Sequence, residues 1–498
     1  MIIGKYRDIR RMNRNSNIAM GSMAFAFFVY IIIRAWNIPI TVDESSTIIT
    51  HVPRHVMDIL FLQSDANPNN HLLNTLLIKL LTSLFGYHPF IVRLPALIGA
   101  FAYALAGLSI CRKITNNDWT RVFSYLMLLG QPYLLDFFSL ARGYSLGLGC
   151  LMTSLWFATK YAEKKSAQTL LGSIAFAGLA AYSNFTLVLF FGPFSALVFF
   201  WVWRENPAWG VLWSKVKYAV PVFLVWLILL AIPLKRLSGH SEITNWNRLD
   251  TLFGSSELSM EAAIHRNPLF GHSAAHFLAM FAAAFCLGMG YICLKKWESK
   301  GSAAFEDVRF LIAVLLPVIL LANIAQVEIT HTPYLQPRLA LLYWPLFALS
   351  LGIAAAWRRE YLGHTAWGLI IPLSIISIVN TAVSANRYEA MEWWHDQNTY
   401  TVLNYIHQIQ QAENHPEPFT FDAKGILQNS FLFHVNLDPR GYNRIVRLDP
   451  WHPDRVATEN YEFYYTSSRD DMEQLRSSYD IALEIPKSDR VLLRKKKK

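Results

Sequence analysis

Charged residues are scarce in this chain. They make up 16% of its 498 residues, against about 25% in soluble proteins, and that deficit excludes an ordinary soluble domain. Cysteine is sparser still. Cys111, Cys150, Cys286 and Cys293 all fall in or beside apolar runs and share no ligand spacing, which argues against a disulfide framework and a metal box. There is no low-complexity linker and no short-period repeat. No small-residue cleavage site follows the basic N-terminus (Lys5, Arg7, Arg10, Arg11, Arg14), so an uncleaved signal anchor is expected rather than a removable peptide. The net charge of +10 does not gather into a nucleic-acid-binding patch. It is spread over short loops, and the basic run at 495–498 reads as a solvated tail, so no nucleic-acid partner is expected.

Apolar runs dominate instead. They recur at residues 20–36, 94–111, 122–138, 144–159, 170–182, 186–203, 218–234, 274–294, 310–327, 339–357 and 366–383. A bilayer core takes roughly 20 apolar residues per helix, with about 17 as the lower end, so about eleven spans are predicted. The expected fold is a polytopic α-helical membrane protein.

One further apolar stretch, 71–85, should not cross. His71, Asn74, Thr75, Lys79, Thr82 and Ser83 fall along one helical stripe, with leucines on the other face. An amphipathic helix of that length suits the membrane interface, and membrane lipids are then a partner. Charge distribution tests this independently. With 71–85 not crossing, Arg112, Lys113, Arg121, Lys160, Lys164, Lys165, Arg204, Lys215, Lys217, Lys295, Lys296, Lys300, Arg309, Arg358 and Arg359 all fall on the N-terminal, cytoplasmic side. The turns near Arg142, Asn184 and Arg338 on the other side are poor in basic residues. The expected localisation is a multi-pass protein of the inner (plasma) membrane, with the N-terminus cytoplasmic and the C-terminal domain periplasmic or otherwise extracytoplasmic.

The outer face then receives a first loop of about residues 37–90, a second of about 235–272, a short loop around 331–338, and the tail. From 385 onward the apolar runs stop. Strand-like pieces at 419–422, 444–448, 461–465 and 491–493 alternate with helix-like pieces at 401–412 and 470–477, which predicts a small α/β domain over 385–498 after a membrane domain over 1–384.

The first loop concentrates polar chemistry. Asp43 and Glu44 are adjacent, in "ITVDESSTII", and Asp65, Asn69, Asn70 and His71 lead into the amphipathic helix. Capping of a helix start explains one acid but not a pair, and the same structural reading applies to Asn69-Asn70-His71. Arg142, Lys235, Arg236 and Arg338 are predicted at outer membrane boundaries, where they either snorkel to lipid headgroups or clamp a phosphate. Trp393 and Trp394 are available either for sugar stacking or for packing at the interface. The histidines His265, His272, His276 and His331 form no recognised metal spacing.

These features together resemble the GT-C superfamily of polyprenyl-phosphate-sugar-dependent glycosyltransferases, in particular its protein O-mannosyltransferase and aminoarabinose-transferase relatives. The similar segments are the acidic pair after the first span, the polar lead into an interfacial helix, and "LFGYHPFIVRLPALIGA". They also include "LARGYSLGLG" with its Arg142-x-Tyr144, and "PYLQPRLALLYWP" around Arg338. The resemblance covers roughly residues 20–360. It implies sugar transfer at the outer membrane face from a polyprenyl-phosphate-linked donor to a hydroxyl of a glycan, lipid or protein. Asp43 matches the family's general base, Glu44 would orient the base or the acceptor, and a carboxylate near apolar surface suits deprotonating a hydroxyl. Asp65, Asn69, Asn70, His71, Arg142, Tyr144, Lys235, Arg236 and Arg338 become candidate donor and acceptor contacts. Relatives often carry an acid followed by His-Pro-Pro or Lys-Pro-Pro where this chain has Asn69-Asn70-His71-Leu72; either Asp65 substitutes for that second acid or this chain lacks it. No cofactor is required on this reading, and no metal ligand is assigned. The competing reading is a transporter or flippase of lipid-linked sugars. Such proteins usually show inverted repeats and ionisable residues at the bilayer midplane, whereas the acids here lie outside the predicted spans.

Overall fold

The computed structural model describes residues 2–64, 66–238, 251–264, 267, 269–362, 367–425, 427–448, 461–467 and 475–496. By Cα proximity the chain divides into two compact units. One comprises Met1–Ile32, Val56–Asn74 and Pro95–Ala385; the other comprises Ile33–His55, Thr75–Leu94 and Asn386–Lys498. The tail therefore does not stand alone, because two pieces from the beginning of the chain pack into its unit.

Among the described residues, eight helices are long and apolar enough to cross a membrane: Arg14–Asn37, Pro89–Ile114, Phe185–Glu205, Ala219–Leu237, Ser273–Glu306, Val308–Thr330, Leu339–Arg358 and Trp367–Ser384. Many of their apolar side chains, among them Leu224, Ile228, Leu287 and Leu321, are exposed, as lipid-facing residues should be. The predicted count of eleven is not confirmed: the other three runs form helices that are broken, shorter or less apolar. The run at 122–138 is two helices, Asp118–Leu129 and Pro132–Phe138. Pro132 supplies no N–H to continue the first of them, and Gln131 caps the second instead. The run at 144–159 forms the 22-residue helix Gly143–Lys164, whose glycines and hydroxyl residues dilute its apolar content. The run at 170–182 forms Ala167–Ser183, of 17 residues.

Glycine lets two of these helices touch backbone to backbone. A Cβ on Gly149 would sit 2.2 Å from the carbonyl oxygen of Gly99, and one on Gly99 would sit 2.5 Å from the Leu146 Cα. Small residues at such a crossing permit the close approach that holds helices together where no water drives them.

The helix predicted at 71–85 is Leu72–Phe85, of 14 residues, or about 21 Å at 1.5 Å per residue. That is short of a bilayer core of about 30 Å. Asn74, Thr75 and Thr82 are buried, while Leu80, Leu84 and Phe85 are exposed. Asn74, Thr75 and Thr82 of the polar stripe thus face protein, with Leu72 and Ile78 also buried, and the exposed leucines lie towards the C-terminal end.

In the second unit a five-stranded sheet runs in the order β2-β1-β3-β5-β4, with β1 Phe419–Ala423, β2 Val446–Leu448, β3 Phe463–Ser467, β4 Tyr479–Ile485 and β5 Arg490–Lys495. β1 pairs in parallel with both β2 and β3, while β5 pairs antiparallel with β3 and β4. Helices Thr399–Ala412 and Leu427–Asn436 pack on it through Leu403, Ile406, Phe431, Phe419 and Phe421. The parallel pairs need crossovers, and Leu427–Asn436 supplies the one between β1 and β2. Strand β4 and helix Leu427–Asn436 were not expected from the sequence, and most of the helix-like piece at 470–477 lies outside the described residues.

Candidate active site

Within the second unit, Thr41 opens the short helix Val42–Ser46 with a capping box: its hydroxyl accepts from the Glu44 N–H, and the Glu44 carboxylate accepts from the Thr41 N–H at 2.9 Å. Glu44 is fully buried and meets Arg93, also fully buried, through two hydrogen bonds of 2.8 and 2.7 Å. The other three guanidinium hydrogens of Arg93 go to the carbonyls of Ala35, Ile38 and Pro39. Every donor of that side chain is therefore matched, the condition under which a buried ion pair is tolerable. The acid pair consequently divides. Glu44 spends its carboxylate on the turn and on Arg93, whereas Asp43, beside it, is only half-buried.

Residues from the tail surround this turn. The Val42 N–H donates to Asp396 Oδ2 at 2.8 Å, and the Ile40 N–H donates to His434 Nε2 at 3.2 Å. The Ser430 hydroxyl donates to the Ile40 carbonyl at 2.8 Å, and the Ser45 hydroxyl donates to the Asn429 carbonyl. Burial pushes the Asp396 carboxyl well above the usual carboxylate range; the Val42 N–H opposes this, and nearby Asp43 and Glu44 reinforce it. Burial and the Arg490 guanidinium lower His395 while Asp43 raises it, with a net lowering. His434 accepts at Nε2 from Ile40, so its proton sits on Nδ1, which donates to Asp438 Oδ2 at 2.8 Å. Burial depresses His434 to about 4 despite that carboxylate. Asp438 is held below its ordinary range: burial would raise it, but its bonds to His434 and Arg440 outweigh that.

The first unit builds a different cluster. Arg142 is fully buried immediately before the helix Gly143–Lys164, and its Nη2 donates to Asn69 Oδ1 at 2.6 Å. The His71 ring stands edge-on to Tyr144 at 4.9 Å, and Asn74 donates to the Ala141 carbonyl at 3.0 Å. Gly143 is required here, because a Cβ would lie 2.2 Å from the Ser183 carbonyl and 2.6 Å from the His71 side chain. His71 is only 7% exposed, and its Nε2 has no hydrogen-bond partner among the described residues. Burial first, then Arg142 and Arg338, hold its pKa well below the ordinary histidine value, so it is a neutral imidazole beside two cations. The same unit contains a largely apolar cavity of about 310 Å³ walled by Tyr133, Phe253, Leu316, Pro337 and Trp344; Pro337 directly precedes Arg338 in the chain.

The candidate residues thus fall into two groups. Asp43 and Glu44 share one unit with Arg93, Asp396 and His434. Asn69, His71, Arg142, Tyr144 and Arg338 belong to the other, and Asn70 is buried there too. Arg236 donates to the Leu62 carbonyl at 2.9 Å, away from the His71 cluster's own bonds, and Lys235 is exposed beside it. Asp65 and His265 lie outside the described residues. Trp393 is buried at 5% exposure, which leaves Trp394, at 37%, as the more exposed indole, with the Arg490 guanidinium 5.7 Å over its ring. Among the described residues no group of three His, Cys, Asp or Glu side chains is arranged to hold a metal ion. Sequence reasoning missed Arg93, Asp396, His395 and His434. Arg93 had a signal, as an arginine at the start of an apolar run, and His434 had one in its i, i+4 spacing to Asp438. Asp396 had none.

No family model and no curated protein matches the chain. Among solved structures, it is similar to ArnT from Cupriavidus metallidurans in the apo state, with a TM-score of 0.50 and 12% identity over 96% of this chain and 97% of that one. The same protein bound to undecaprenyl phosphate superposes at 0.44 with 13% identity over 96% and 97%. The oligosaccharyltransferase AglB from Archaeoglobus fulgidus, in complex with an inhibitory peptide and a dolichol-phosphate, superposes at 0.44 with 12% identity over 92% and 70%. The first likeness shows a fold shared with that ArnT over nearly the whole chain; the two weaker ones add nothing to it.

Proposed function

We propose that this protein is a membrane glycosyltransferase that moves a sugar from a polyprenyl-phosphate donor to an acceptor hydroxyl at the outer face of the membrane. A fold is shared by many activities, so the reading rests on the residues. The observation that carries it is the cluster of His71, Arg142 and Arg338 at the start of the helix Gly143–Lys164. Two guanidinium groups, a neutral imidazole with an open nitrogen and the positive end of a helix dipole form a receptor for a phosphate. A soluble sugar nucleotide would not need the apolar cavity lined by Pro337 and Trp344, whereas a polyprenyl chain would fill it.

In the proposed reaction the acceptor oxygen attacks the anomeric carbon, and Asp43 takes the hydroxyl proton. The bond from that carbon to the phosphate oxygen breaks, and the polyprenyl phosphate departs with the electron pair. Arg142 and Arg338 stabilise the charge that develops on the leaving phosphate. Glu44, consumed by Arg93 and Thr41, acts by fixing the turn that carries Asp43. Trp394 offers its ring to the acceptor. On this reading the tail is extracytoplasmic and the N-terminus cytoplasmic.

The test is transfer by purified protein from polyprenyl-phosphate sugars to candidate glycan, lipid and protein acceptors. Asp43→Asn should lower kcat by about 10²–10⁴, the usual contribution of a general base, with the donor KM little changed. Undiminished transfer by that variant removes Asp43 from the mechanism.

A further inference from the structure

Ile40, the extended N-cap Thr41 and Val42, the first residue of the helix Val42–Ser46, lead into Asp43, and each of their backbone N–H groups is taken by an ionisable side chain. The Ile40 N–H goes to His434 Nε2, the Thr41 N–H to Glu44 Oε2 and the Val42 N–H to Asp396 Oδ2. Only the second of these is local. His434 and Asp396 lie 394 and 354 residues further along the chain, and both are buried, as is Ser430, which grips the Ile40 carbonyl. Burying ionisable groups costs free energy unless their partners are well placed, and a main-chain amide needs only a neutral acceptor. A purely structural contact would be met as well by a backbone carbonyl or a serine. What these side chains provide is direction: His434 is anchored from behind by Asp438, and Asp438 in turn by Arg440 at 2.6 Å, while Asp396 is held by its burial.

We infer that Asp396 and His434 are positioning residues for the base, aiming Asp43 by holding the backbone N–H groups of Val42 and Ile40, the residues on either side of Thr41. The inference rests on the assignment of Asp43 as the base. It gives the C-terminal α/β domain a part in the reaction that the membrane helices cannot supply. A preorganised acid must be kept within a fraction of an ångström of its productive position, and a displacement of about 1 Å can lower the rate about a hundredfold. The raised proton affinity of Asp396 agrees with a role as a neutral acceptor rather than as an anion. Asparagine reproduces that neutral group, with a carbonyl oxygen in place to accept from Val42.

The experiment compares Asp396→Asn, Asp396→Leu, His434→Phe and Asp43→Asn as full-length purified protein, each checked for folding by its melting temperature. Transfer is measured over a range of donor concentration. Asp396→Leu, which deletes the acceptor at similar volume, should lower kcat by about ten- to a hundredfold while the donor KM stays within about twofold. Asp396→Asn should restore kcat to within about twofold of wild type. His434→Phe, which removes the acceptor for Ile40 while keeping a ring, should behave like Asp396→Leu, and it carries the test if Asp396→Leu does not fold. An unchanged kcat in folded Asp396→Leu or His434→Phe overturns the inference. So does an Asp396→Asn variant as inactive as the leucine, because Asp396 would then act through its own charge or proton. If Asp43→Asn itself keeps full activity, the assignment of the base fails first, and that outcome is read separately from the other three variants.

Discussion

Asp43 and Glu44 are neighbours in sequence with opposite fates. Glu44 is buried against Arg93 and Asp43 is not, because the helix start puts the N3 carboxylate back over the N-cap while N2 points away. The pair was legible from composition alone, but the division of labour was not, since it depends on an arginine nearly fifty residues away. At the same scale His434 makes a measurable statement about pH. Its folded value of about 4 lies below the ordinary 6.5, so an unfolded chain takes up a proton that the folded side chain refuses. Stability should therefore fall as pH drops from about 6.5 towards 4, by on the order of 3 kcal/mol. Melting temperatures across that range should decline less steeply for His434→Gln than for wild type; parallel slopes would mean that the imidazole is not held neutral.

At the scale of elements, the helix Leu72–Phe85 was legible as a short amphipathic segment, because stripe and length are both written in the sequence. Which stripe faces protein was not. The sequence pattern suits a helix lying at a water interface, but Asn74, Thr75 and Thr82 turn inward together with Leu72 and Ile78, while Leu80 and Leu84 are exposed. The broken run at 122–138 shows the opposite failure, in which apolar content continued through a Gly-Gln-Pro interruption that ends the helix. The crossing at Gly99 and Gly149 is the element-level contact easiest to break. Gly149→Leu would drive a side chain into the Gly99 carbonyl and should destabilise by at least about 3 kcal/mol, the upper range for an overpacked core. Thermal unfolding in detergent reads this directly, and a variant as stable as wild type would mean that the helices are free to move apart.

At the scale of the molecule, the charge pattern of the loops proposes an orientation that the described fold can test. The four cysteines are all buried, so a cysteine introduced at the exposed Ser477 should be the main thiol open to reagent. In intact cells Ser477→Cys should react with a membrane-impermeant maleimide added from outside. Labelling only after permeabilisation would reverse the proposed topology.

The sequence by itself determined that the chain is built for a bilayer, that apolar helices dominate it, that a small α/β tail follows, and that acids crowd the loop after the first span. These follow from composition and local periodicity, which the solvent reads one segment at a time. Only the tertiary structure decided that residues 33–55 and 75–94 belong with the tail, that Glu44 is spent on Arg93, and that Asp396 and His434 hold the approach to Asp43. The reason is physical. A hydrogen bond constrains distance and direction between particular atoms, and when those atoms are hundreds of residues apart, no periodicity in the chain records that they will meet.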